Sequence, residues 1–181
     1  MDRTGLRATL CATALFAACA LAAPNARASG RQLHGGPLAG GALLAHSDLM
    51  VGGVVAGQLA YGLTDQLRLY GTLEVPLGVS VQRGSPWIGP GLAVGVAFSF
   101  DALTWVPWVG LEARVHGSFG TMSTLPVLVG GGVRLGVDWL PSRYFGLTIQ
   151  GSYALCWLDP SPQSLTHFVT LVAGPRWTVD L

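Results

Sequence analysis

Lysine is absent from this 181-residue sequence, and only 10% of its residues carry a charge. The ten basic residues are all Arg; against nine acids they leave a formal charge of +1. No basic face exists to follow a phosphate backbone, which argues against a nucleic-acid partner. Cysteine is scarce too. Cys11 and Cys19 fall near the N-terminus, and Cys156 alone remains beyond it, so no disulfide is expected to staple the rest of the chain. Long apolar runs are also missing after residue 28, where Gly, Pro, Asp, Arg or Gln interrupts every stretch before the roughly 20 residues of a spanning helix. Half of the residues are nevertheless hydrophobic, too many for a disordered chain, and 26 are Gly.

The first 28 residues differ from the rest of the chain. Arg3 and Arg7 precede an apolar run from Ala8 to Ala23, and Ala26-Arg27-Ala28 places small residues where a signal peptidase reads. This is the pattern of a cleaved secretory signal, residues 1–28, and the run is too short for a membrane anchor. Residues 29–181 then form one exported domain with seven Arg and eight acids. Without disulfides it must rely on a core or on a membrane.

The organising period of that domain is two. Leu67, Leu69, Gly71, Leu73, Val75 and Leu77 alternate with Arg68, Tyr70, Thr72, Glu74 and Pro76. From Ile88 to Phe100 the second face is merely small: Gly89, Gly91, Ala93, Gly95, Ala97 and Ser99. The alternation continues through Val109 to Val115, Leu125 to Trp139, Phe145 to Leu155 and Val169 to Leu181. Val51, Val55, Leu59 and Tyr61 form an earlier run, and the Gly-rich stretch from Gln32 to Ala45 supplies a first strand, making eight. Tight turns at 62–66, 101–104 and 140–142 alternate with mostly longer connections at 45–49, 78–85, 117–123 and 157–166. Tyr61, Phe100, Trp105, Trp139, Phe145 and Trp177 gather beside the tight turns and the C-terminus, all with the parity of the greasy face. A soluble sandwich has no reason to ring one end of its buried face with aromatics. The expected fold is all-β, an eight-stranded antiparallel up-and-down transmembrane barrel.

The segment Ala60-Tyr61-Gly62-Leu63-Thr64-Asp65-Gln66-Leu67-Arg68-Leu69 resembles the first periplasmic hairpin of small outer-membrane β-barrel proteins of Gram-negative bacteria. That resemblance implies a place in the cell outer membrane, contact with its lipids, and insertion by the barrel-assembly machinery. In that family the machinery reads a last strand ending in an aromatic residue. Trp177 and Val179 fit the alternation, but the final residue here is Leu181.

With the greasy parity toward lipid, the charges of the other parity fall in the lumen: Arg68, Glu74, Glu112, Arg114, Arg134, Asp138, Arg176 and Asp180, four of each sign. An eight-stranded lumen is just wide enough for side chains to fill, and buried charges must be paired. Counted from the turns, Arg68, Asp138 and Asp180 lie shallow, while Arg134 and Arg176 share a depth near that of Glu74 and Glu112. A structural charge network closing the lumen is therefore expected, with a structural or interaction role. The small-residue face of 89–99 keeps two alternatives open, a narrow passive channel or an acyl-chain pocket in a lipid-modifying enzyme. Large side chains from other strands filling that space is the simpler reading.

Little else suggests chemistry. His116 and Cys156 share lumen parity, whereas His167 does not, so no metal set converges and no cofactor is expected. Ser99, Ser118, Ser123 or Ser152 can be matched on paper with His116 and Glu112 as a hydrolase triad, but no nucleophile elbow selects one. Gly130-Gly131-Gly132 is followed by neither Lys nor a helix, so it is no phosphate loop. An enzyme is not expected.

Overall fold

A computed structural model describes residues 32–46, 48–100, 104–117, 119–120, 127–157 and 165–181. The expected signal segment, residues 1–28, lies outside them. Among the described residues ten strands occur in order: β1 (Gln32–Ala45), β2 (Leu49–Gly62), β3 (Leu67–Ser80), β4 (Pro86–Ile88), β5 (Gly91–Ser99), β6 (Trp105–Gly117), β7 (Phe119–Gly120), β8 (Val127–Trp139), β9 (Phe145–Trp157) and β10 (Leu165–Asp180). Eight of these are long. Each pairs antiparallel with its neighbours, and β1 pairs with both β2 and β10, so the sheet closes on itself. Closure satisfies both edges of every long strand, the condition for placing a sheet in lipid.

The run expected from Ile88 to Phe100 is divided. Pro90 has no N–H to donate, and the ladder between β3 and the next strand stops at Glu74↔Gly91 and resumes at Leu77↔Ile88. Gly89 bridges the break by donating to Pro76 O at 3.0 Å. The short β4 pairs with β7, extending the wall where the longer connections lie, here called the loop end. At the opposite, turn end the connections are held locally. Thr64 Oγ1 accepts from the N–H of Gln66 at 3.3 Å and of Leu67 at 2.9 Å, and Ser142 Oγ accepts from Phe145 N–H at 3.0 Å.

Alternation sorts the side chains as the period-two pattern requires. Leu59, Leu73 and Leu171 point outward with 61%, 67% and 63% of their surface exposed, amid a wall of Val, Leu and Ile. Arg114, Arg134, Asp138 and Gln150 point inward and are buried. A protein in water has the reverse arrangement, and an apolar belt of this extent is stable against acyl chains. Phe100, Trp105, Tyr144, Phe145 and Trp177 are exposed on that wall at the turn end, with Tyr61 and Trp139 half-exposed, and the Trp105 and Trp139 rings lie 6.0 Å apart. They form the aromatic girdle of one membrane interface.

Candidate functional site

The lumen gathers the chemistry of the chain in three layers. At mid-barrel, β3 supplies Glu74, β6 supplies Glu112 and Arg114, and β8 supplies Arg134. The register explains the meeting: Glu112 faces Gly132 on β8, two residues from Arg134, so acid and base sit one inward position apart. Arg114 Nη2 donates to Glu112 and also to Ser152 Oγ at 3.0 Å, and its Nη1 lies 3.3 Å from Glu74 Oε1. Arg134 places Nε 2.7 Å from Glu112 Oε2, Nη2 4.0 Å from Glu74 Oε2, and donates from Nη1 to Thr72 Oγ1 at 3.0 Å. Two acids and two arginines thus form a neutral, interlocked square. Tyr70 OH adds a donor to Glu112 Oε2 at 3.3 Å, and His116 Nε2 lies 2.9 Å from Glu74 Oε1. The contacts of His116 and Arg114 Nη1 with Glu74, and of Arg134 Nε and Nη2 with the two acids, are ion-pair distances without hydrogen-bond geometry.

Nearer the turn end, Asp138 is the centre. Arg68 Nη1 donates to its Oδ2 at 2.8 Å, Arg176 Nη1 donates to the same oxygen, and Trp108 Nε1 donates to Oδ1 at 3.2 Å. The Arg68 guanidinium stacks 4.4 Å from the Trp108 ring centroid. Toward the loop end an apolar plug replaces charge, with Leu44, Met50, Trp87, Leu128, Cys156 and Phe168 all buried. Above it Asp48, a residue of the β1–β2 connection, is buried and accepts from Ser80 Oγ.

Seven of the eight charges assigned to the lumen are buried there: Arg68, Glu74, Glu112, Arg114, Arg134, Asp138 and Arg176. Asp180 is not. It sits on the turn-end rim, pairing with Arg143 at 2.7 Å and accepting from Gln32 Nε2 at 2.9 Å. The reason is length: β9 starts at Phe145, opposite Trp177, so the last residues of β10 overhang it. The same overhang makes Arg176 shallower than a count from the C-terminus suggests. Arg176 faces Gly146 while Asp138 faces Thr148, which brings them together and separates Arg176 from Arg134.

The small face of 89–99 is filled from neighbouring strands. A Cβ added at Gly91 would stand 2.3 Å from His116 Nδ1, and one at Gly95 would stand 2.3 Å from Leu111 O and 2.6 Å from Tyr70 Cζ. Gly95→Val is therefore expected to lower unfolding stability by about 1–3 kcal/mol, because backbone as well as ring must move. Gly71→Ala meets nothing within 4 Å and serves as the neutral control in the same urea titration.

The hydrolase candidates do not assemble around His116. Ser152 bonds to Arg114 and Thr170, and Ser99 faces Trp108 near the turn end while His116 faces Gly91. Ser118 and Ser123 lie outside the described residues. Asp48 and the inward Leu38, Leu44 and Met50 escape a reading by parity, because β1 and the start of β2 alternate weakly. Alternation is still a usable signal for Tyr70 and Trp108, which share parity with Arg68 and Glu112.

No protein-family model matches the sequence, and no curated protein does. Solved structures do. Neisserial surface protein A (NspA) superposes with a TM-score of 0.63 at 16% identity, over 84% of this chain and 99% of that one. The outer membrane protein OprG from Pseudomonas aeruginosa gives 0.57 at 9% identity, covering 84% and 97%. Ail, the attachment invasion locus protein of Yersinia pestis, gives 0.50 at 14% identity, covering 82% and 99%. At these identities the likeness concerns architecture, and the chain has the fold of the small eight-stranded outer-membrane barrels.

Proposed function

We propose that this chain is an integral outer-membrane protein whose barrel is a closed plug, acting through its wall and its two ends rather than through a pore. Residues 1–28 direct export, the barrel-assembly machinery inserts the folded strands, and outer-membrane lipids cover the Leu and Val wall. The observation that carries this reading is the filled lumen. Two salt-bridged clusters and an apolar layer succeed one another along the axis, and Tyr70, Trp87, Trp108 and His116 occupy the space beside the Gly and Ala face. A barrel of eight strands has room for side chains but not for a water column beside them. The role that fits is structural or interaction-based, within the plane of the membrane or at its surfaces.

The same observation speaks against a narrow passive channel and against an acyl-chain pocket, since either needs continuous free volume along β5. Planar-bilayer recording of the purified protein separates these readings. A closed barrel gives no steady conductance above the bare bilayer. Sustained single-channel openings comparable to an open pore refute the closed lumen, and altered lipid A on overexpression supports the lipid-modifying alternative.

A further inference from the structure

At the turn end of the lumen two guanidiniums share one carboxylate. Arg68 and Arg176 both rest Nη1 on Asp138 Oδ2, while Trp108 occupies Oδ1. The triad therefore holds 2 − 1 = +1 charge. Among the described residues, Glu74 and Glu112 are matched by Arg114 and Arg134 deeper in, Asp180 is committed to Arg143 and Gln32 on the rim, and Asp48 accepts from Ser80 at the loop end. Arg176 is only 8% exposed, and its Nε–H has no acceptor among the described residues. A buried guanidinium that shares its one carboxylate with a second is unfavourable, and an N–H donor without an acceptor adds to the cost.

We propose that the turn end of the lumen binds a small monovalent inorganic anion, of chloride size, held by the Arg68 and Arg176 guanidiniums beside Asp138. One excess positive charge matches one monovalent anion. Asp138 itself repels a multiply charged oxyanion, and the Trp108 and Tyr70 rings, 6.2 Å apart, confine the space beneath. Arg68 and Arg176 keep about a tenth of their side-chain surface exposed, 11% and 10%, which gives access from the turn end alone. His34 of β1 is bonded to Thr178 at 2.9 Å, two residues along β10 from Arg176. A site entered from one end conducts nothing, so it is compatible with a plugged barrel and does not depend on it.

Chloride-35 NMR of the protein purified from membranes into zwitterionic detergent tests this, with chloride titrated against gluconate at constant ionic strength. Wild type is expected to show saturable excess line broadening that bromide displaces. Arg176→Gln is expected to weaken it about tenfold or more, and Arg83→Gln, exposed at the loop end, to leave it unchanged. Faster gel mobility before heating verifies that each variant is folded. Should Arg176→Gln fail to fold, anomalous scattering from wild-type crystals soaked in bromide decides: a peak between Arg68 and Arg176 supports the site. Absence of saturable broadening in wild type, undiminished broadening in folded Arg176→Gln, or no bromide peak at that position overturns it.

Discussion

Glu112→Ala is expected to destabilise the barrel by about 3–5 kcal/mol, the cost of stripping one partner from a buried ion pair. Glu112 alone accepts hydrogen bonds from Arg114 and from Tyr70 OH at 3.3 Å, and it is ion-paired with Arg134 at 2.7 Å. Without it two buried guanidiniums face only Glu74, at 3.3 Å and 4.0 Å, and a phenol loses its acceptor. Asp180→Ala removes an ion pair as well, but a rim pair with Arg143, and is expected to cost no more than about 1 kcal/mol. Equilibrium unfolding in urea, monitored by the loss of the folded gel band, measures both. A Glu112→Ala protein as stable as wild type would show that the square adds nothing. Replacing Glu112 and Arg134 together by Leu and Met is expected to recover much of the loss, since an apolar pair of similar volume leaves one acid for one base.

The outward wall gives the second large effect, with a sign that depends on the solvent. Leu73 lies mid-strand on β3, next to Glu74, with 67% of its surface exposed. Were that surface wet, Leu73→Arg would change stability by no more than about 0.5 kcal/mol. Facing acyl chains near the bilayer centre, the same change is expected to cost about 2–4 kcal/mol. Reversible unfolding from lipid vesicles reads the difference, and a Leu73→Arg barrel as stable as wild type would mean that the wall does not face lipid.

Most of the architecture is legible in the sequence because a closed barrel is built on one repeated constraint. Each strand needs one apolar and one polar face, so Leu67 to Leu77 or Val133 to Trp139 reveals its orientation without a neighbour. Weak patterns blur where that constraint relaxes. On β1 the outward residues Pro37, Ala39 and Gly41 are small and the inward Leu38 and Leu44 are apolar, so neither face announces itself. Pro90 divides a strand whose alternation runs on unbroken, since parity is unaffected by a missing N–H.

The lumen is legible in composition but not in its partnerships. Parity places Arg176 inside, whereas its partner depends on the stagger between β8, β9 and β10, which no local pattern encodes. Counting from the chain end puts Asp180 at the level of Asp138. The observed register, with Trp177 opposite Phe145, carries Asp180 past the end of β9 to the rim. Depth in a barrel is a property of the ladder, and only the paired strands reveal it.

A barrel closed by the β1–β10 seam and walled by apolar side chains is tested most directly by cell fractionation with gel mobility read before and after heating. Such a barrel is expected in the outer-membrane fraction, with the unheated band running ahead of the boiled one because the folded sheet resists detergent. Recovery in the soluble periplasmic fraction, with a mobility that heating does not change, would contradict it.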